Sequence, residues 1–214
     1  MIAMHPSEEI LVAVASGQAD LPHRVMVEGH LDSCASCRAT LAELSEPGGA
    51  LLASLPVSPP PAALWEQLRA RIQTLPQGDR AVDPALSSFP LPEGARREMP
   101  TIGPLHWRRI PLHPARYAVL FRDQASGSAL LIGHMPPSRG VPEHLHLGPE
   151  DILVLAGGYE DHTGNFEKGA WGSYAPGTQH KPVTEPGEEC WTLTRLEKPN
   201  LFLGWRGWLQ SLSR

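Results

Sequence analysis

The run His30-Leu31-Asp32-Ser33-Cys34-Ala35-Ser36-Cys37 decides how the first part of this chain is read. Three soft or borderline metal ligands fall within eight residues, in the order His, three residues, Cys, two residues, Cys. If Ser33 opens a helix, Cys34 and Cys37 lie three apart on one face, and His30 at the end of the preceding helix closes over them. A structural zinc ion takes a closed tetrahedral shell of thiolate and imidazole, with paired ligands about two to four residues apart. The fourth ligand lies upstream, at His5 or His23. His23 and His30 fall on one expected helix, roughly 10 Å apart along its axis, too far to share an ion. His5 precedes its own helix and is free of that register. The expected set is therefore His5, His30, Cys34 and Cys37. A CxxC pair also serves as a redox dithiol, and both uses combine if oxidation of the thiolates releases the ion. Two buried thiols beside an unrelated histidine are the remaining alternative.

A length of 214 residues gives room for one or two domains, and a hydrophobic content of 41% is enough for packed cores. Three cysteines, two of them in the ligand run, do not make a disulfide framework, so the chain reads as cytoplasmic. The apolar run from Ile10 to Ala15 follows Glu8 and Glu9 rather than a basic segment, and is shorter than a secretory core. Leu201 to Leu212 is apolar but short and broken by Arg206, so no membrane span is expected. Residues 1–75 carry 4 Lys or Arg against 8 Asp or Glu, and the remainder 14 against 15. The acidic first part lacks the basic face that phosphate backbones require. That argues against direct nucleic-acid binding and suits a basic partner protein.

Pro6, Glu8 and Glu9 suit a first helical turn, with the helix running to about Ser16 and stopping at Gly17. Asp20 and Pro22 open a second helix through Val25, Val27 and His30. Ser33 is expected to cap a third, from Cys34 to about Leu44, placing Cys34 in a first turn where a thiol pKa falls. Such a small helical unit buries little surface and commonly needs a metal to hold together. From Glu46 to Pro61 the composition turns to Pro, Gly and Ser. In ALWEQLRARIQTL, from Ala62, the residues Leu64, Trp65, Leu68, Ile72 and Leu75 fall at helical spacing opposite Glu66, Arg69 and Arg71. This is an amphipathic helix on a tether, which either packs on the three-helix unit or offers its stripe to a partner. Pro76 to Pro104 holds six prolines and no sustained periodicity, as a linker does.

From His106 onward, alternating runs such as YAVLF, SALLIGH, DILVLAGGY and CWTLTRL are separated by Gly, Pro and Asp turns, the pattern of an antiparallel β-sandwich or barrel. The expected organisation is a helical zinc-binding domain at 1–75, a Pro-rich linker at 76–103, and a β domain with a C-terminal tail at 104–214. Within the β domain, EHLHLGPED sets His144 and His146 two apart, on one face of a strand. Glu150 follows, and GTQH brings His180 after the glycine pair Gly157 and Gly158 and the turn at Pro176 and Gly177. Three imidazoles and a carboxylate suit Zn²⁺, Mn²⁺, Fe²⁺ or Ni²⁺, and these ligand types do not separate the ions. Cys190, beside Trp191, reads as a small buried hydrophobe. His106, His113, His134 and His162 have no partner spacing, and Trp205 and Trp208 are packing or interface aromatics.

With both constellations in place, the chain resembles the ChrR family of zinc-binding anti-sigma factors, in which a helical domain with a His and HxxxCxxC precedes a cupin carrying HxHxxxE and a later His. The resemblance implies a multidomain α plus β architecture, with a cupin (double-stranded β-helix) barrel as second domain. It implies zinc at His5, His30, Cys34 and Cys37, and zinc or another divalent ion at His144, His146, Glu150 and His180. It further implies that the helices wedge between the two conserved domains of an extracytoplasmic-function sigma factor. The cupin would be the sensing part, where an oxidant or small molecule acts to release the sigma factor. A metalloenzyme, a dioxygenase or hydrolase with an accessory helical module, is the competing class. No further acid, base or nucleophile in the sequence can be assigned to a reaction, so no catalytic residue is named.

Overall fold

The computed structural model describes residues 4–74, 86–110 and 113–203. Five helices come first: α1 Glu8–Ala15, α2 Leu21–Leu31, α3 Ala35–Ser54, α4 Leu64–Thr74 and α5 Glu93–Glu98. The strands follow as β1 Arg108–Arg109, β2 Arg116–Arg122, β3 Ala129–Met135, β4 His144–Leu145, β5 Glu150–Ala156 and β6 Gly158–Asp161. The rest are β7 Gly164–Glu167, β8 Trp171–Tyr174, β9 Gln179–His180, β10 Val183–Thr184, β11 Cys190–Leu196 and β12 Leu201–Phe202.

The helix starts follow side-chain chemistry. Ser7 caps α1, its Oγ accepting from Ile10 N at 3.3 Å, so the helix begins after Pro6 rather than at it. Asp20 caps α2 as expected, accepting from His23 N at 2.9 Å. The cap of α3 is Cys34 and not Ser33: the Cys34 thiol accepts from Cys37 N at 3.5 Å. Helix α3 also runs ten residues beyond the expected stop at Leu44, to Ser54, through Pro47, Gly48 and Gly49. Proline removes one backbone hydrogen bond there, but Ala50, Leu51, Leu52 and Ala53 behind it are strong helix formers that carry the turn forward.

All strand pairs are antiparallel among the described residues. A six-stranded sheet in the order β1-β2-β3-β11-β5-β8 faces two three-stranded sheets, β10-β6-β7 and β12-β4-β9. Alternation along the large sheet gives it two working faces. Ala118, Leu120, Leu130, Ile132, Leu153 and Leu193 turn outward and share one core with Val25, Met26 and Val27 of α2 and Ala95 of α5. Ile152, Val154, Met135 and Cys190 turn inward, to a second core with Tyr159, Phe166 and Tyr174.

Helices α1, α2, α3 and α5 are therefore not a separate body. Val25, Met26 and Val27 are fully buried, each worth roughly 1.5–3 kcal/mol. The stretch read as a proline linker contributes to this: Leu86, Leu91, Ala95, Met99 and Ile102 are buried in the same core. At Gly94 a Cβ would stand 2.3 Å from the Glu28 carbonyl oxygen, so only glycine lets α5 lie this close to α2. Prolines in this stretch set turns around α5 without keeping it away from the core. Leu75, Trp205 and Trp208 lie outside the described residues.

Candidate metal centres

The first centre forms where α2 ends and α3 begins. His5 Nδ1 lies 3.4 Å from Cys34 Sγ and 3.4 Å from Cys37 Sγ. His30 is buried, and its Nδ1 donates to the Gly169 carbonyl at 2.8 Å. That bond puts the proton on Nδ1 and leaves the Nε2 lone pair free; Nε2 is buried with no hydrogen-bond partner among the described residues. Burial lowers the His30 pKa, with the Gly169 bond opposing, so the ring stays neutral and able to ligate. Burial works against the Cys34 thiolate too, but hydrogen bonds from Ser36 and from the Cys37 amide hold this thiol at about 7. Burial, together with the neighbouring Cys34, pushes Cys37 up to about 11. One ligand atom from each of the four residues lies within 4.8 Å of the others. An orphaned buried nitrogen facing two thiols and a second imidazole fits a closed zinc shell.

The second centre lies inside the β domain, where β4, β5 and β9 meet. His144, His146, Glu150 and His180 are all buried, and their ligand atoms again lie within 4.8 Å of one another. Each imidazole spends its Nδ1 proton elsewhere. His144 Nδ1 donates to Pro142 O at 2.8 Å, His146 Nδ1 to Thr178 O at 3.0 Å, and His180 Nδ1 to Asp161 Oδ2 at 2.8 Å. The three Nε2 lone pairs are thus turned inward. His144 Nε2 and His180 Nε2 stand 2.9 Å apart, and His146 Nε2 stands 3.1 Å from Glu150 Oε2. Lone pairs pointed at each other call for a cation, and three neutral imidazoles with one carboxylate supply the donors for a divalent ion. Burial, with the neighbouring His180 and His146, lowers the His144 pKa to about 4 against the pull of Glu150, so that ring is neutral at ordinary pH. Burial favours a neutral Glu150, yet the imidazoles of His146, His144 and His180 around it hold its carboxyl below the usual range.

All eight residues singled out in the sequence fall into these two clusters. His23, set aside for its register, is engaged elsewhere: Nε2 meets Asp151 Oδ2 at 3.0 Å and Nδ1 meets Asp20 Oδ1 at 3.2 Å. Cys190 is buried, its thiol reaching only the Trp191 carbonyl at 4.0 Å, and burial pushes that thiol up to about 12. Three supporting residues had gone unnoticed. Asp161 carries no exposed side-chain surface and also accepts from Tyr174 OH at 2.8 Å. Asn200 Nδ2 donates to Glu150 Oε2 at 2.5 Å. Thr178 holds His146. Only Asp161 had a visible signal, and it pointed to a turn: in Asp-His-Thr-Gly its other oxygen accepts from the Thr163 and Gly164 amides.

Residues 96–199 match the ChrR cupin-like domain family. Over 205 residues the chain is 31% identical to the anti-sigma-E factor ChrR of Cereibacter sphaeroides, covering 94% of this chain and 92% of that one. The chain belongs to the ChrR family of anti-sigma factors. It is also similar to a chain in the crystal structure of Rhodobacter sphaeroides SigE in complex with the anti-sigma ChrR, with a TM-score of 0.67, 26% identity, and coverage of 92% of this chain and 99% of that chain. An RmlC-like cupin protein from Ralstonia eutropha is similar over 50% of this chain and 78% of its own, with a TM-score of 0.41 and 15% identity. The ChrR architecture, a helical region holding a His/Cys cluster followed by a β-rich cupin-like domain, is the one described above.

Proposed function

We propose that this chain sequesters an extracytoplasmic-function sigma factor through its helical part and releases it on an oxidative or related signal received at the cupin metal cluster. One observation carries the binding half: apolar helix faces that stand exposed to solvent. No side chain of α4 is buried, with Trp65 60% and Ile72 53% exposed, and Leu51 and Leu52 at the end of α3 are about as bare. A groove in a partner protein is the natural complement of such faces. Zinc at His5, His30, Cys34 and Cys37 would lock α1, α2 and α3 in the presenting arrangement.

The signalling half is supported by contacts between the two parts. Strand β5 presents Glu150 to the inner cluster and Asp151 to His23 of α2. Just before strand β8, the Gly169 carbonyl holds His30; at the strand's other end the Tyr174 ring stacks on His146 at 5.1 Å. A change in ligation at the inner cluster would strain both strands, and the shift needs only a different stability of the clamped and released states. No described helix is long and apolar enough to cross a membrane, and the proposed place of action is the cytoplasm.

The test is co-expression of the full chain with the sigma factor encoded beside its gene. A one-to-one complex carrying zinc is expected. A metal-loaded chain that binds no sigma factor overturns the proposal and moves attention to turnover at the cupin cluster.

A further inference from the structure

A cavity of about 380 Å³ opens on the inner face of the large sheet, within the range of small-molecule sites. Val119, Leu131, Leu196 and Ile152, from the four neighbouring strands β2, β3, β11 and β5, give it an apolar floor. The first three are only half-buried, so this floor keeps free apolar surface. His144, Glu150 and His180 stand at its inner end.

The charges around it do not balance. Arg108, Arg122 and Lys198 line the cavity from exposed positions, whereas Arg116 lays its guanidinium over the Trp107 ring at 4.8 Å and acts on Glu189. Its two carboxylates are engaged: Glu150 by His146 and Asn200, and Glu197 by Arg195 at 3.0 Å. Away from that inner cluster, an apolar floor under a cationic rim disfavours an organic cation, leaves a neutral hydrocarbon without answer to the rim, and gives a polyanion such as a nucleotide nothing to bury. An apolar chain ending in one carboxylate answers both features.

We propose that this cavity binds a medium-chain carboxylate, its chain on the Val119–Leu131–Leu196–Ile152 floor and its head among the rim cations. This deepens the sensing reading, on which its regulatory meaning rests.

The experiment is calorimetric titration of sodium decanoate into the full-length, metal-loaded chain, with decanol and decyltrimethylammonium as controls at submicellar concentration. Saturable one-to-one binding of decanoate is expected, at least tenfold tighter than either control. Reversing two exposed rim charges, Arg122→Glu with Lys198→Glu, should weaken it about tenfold. Leu131→Trp, which fills the floor, should remove binding with metal content intact. Because that bulky change can also harm folding, the rim variant keeps the proposal falsifiable. The proposal is overturned if decanoate does not bind, if all three probes bind alike, or if binding survives both variants unchanged. Decanoate binding that leaves sigma-factor affinity unaltered supports the site while removing its regulatory meaning, so the two readings fail separately.

Discussion

Glu150 and Asp151 are consecutive on β5 yet serve opposite sides of the sheet: Glu150 Oε2 lies 3.1 Å from His146 Nε2 within the inner ligand cluster, and Asp151 Oδ2 lies 3.0 Å from His23 Nε2 on α2, the helix that carries His30. Ser173 Oγ holds the other Asp151 oxygen at 2.6 Å. A shift of β5 that follows a change at Glu150 must therefore pull on α2. Asp151→Asn should keep both metals and bind the sigma factor within about fivefold of wild type, while release by the oxidative signal is blunted in a reporter assay. Full induction in this variant would remove β5 from the route.

The His23 contacts also make a pH signature. Burial disfavours the imidazolium, but the hydrogen bonds to Asp151 and Asp20 outweigh it and the folded pKa is raised. A raised folded value means stabilisation that is complete below the ordinary imidazole value of about 6.5 and is lost as pH rises through the folded value. Urea denaturation of wild type and His23→Gln should therefore show a stability gap that is widest near pH 6 and closes on the alkaline side. A gap that grows with pH would contradict the assignment.

The two metal centres should separate by mutation. Cys34→Ser removes a thiolate from a shell that has only four donors, so the zinc of the first centre should be lost and sigma-factor binding with it. His144→Ala should strip the second centre alone, leaving binding in place and the response absent. Metal analysis of each purified variant, read beside complex formation, checks both. Loss of binding in His144→Ala would make the inner metal structural rather than sensory.

Asp161 acts through His180. With Nδ1 held by this carboxylate at 2.8 Å, His180 is fixed in ring orientation and tautomer. Asp161→Asn should weaken metal at the inner cluster roughly 10- to 100-fold and leave zinc at the first cluster unchanged, as competition with a chelator would measure. Equal weakening at both sites would indicate general unfolding.

How much of this was legible depended on chain distance. His30, Cys34 and Cys37 lie around one local turn, and His144, His146 and Glu150 on β4, the start of β5 and the short turn between them, so spacing alone carried their geometry. His5 followed from excluding His23 by helix register, and the structure gives His23 an acidic pair instead. The bonds that join the two parts were invisible: His23 to Asp151 spans 128 residues and Asp20 to Arg195 spans 175. A helix buried on nearly all sides, as α2 is, carries little amphipathic signal to announce a neighbour. The extension of α3 was hidden by Pro47 and two glycines, because local propensity weighs breakers without the helix formers behind them.

Helix α4 offers the sharpest division between folding and binding. Trp65, Leu68 and Ile72 lie on one stripe, all exposed, with Arg69 stacked on Trp65 at 5.7 Å as the one ring contact of that tryptophan among the described residues. A residue that touches no core contributes little to stability, so Trp65→Ala and Ile72→Glu should each change unfolding free energy by about 0.5 kcal/mol or less. If the stripe fills a groove on the sigma factor, the same changes remove a large aromatic anchor or bury a charge there, and each should weaken the complex by at least about tenfold, near 1.4 kcal/mol. Thermal unfolding and sigma-factor affinity measured on the same preparations test the division. A stable Ile72→Glu chain that still binds with wild-type affinity would place the sigma-binding surface elsewhere, with the bare leucines of α3 next in line.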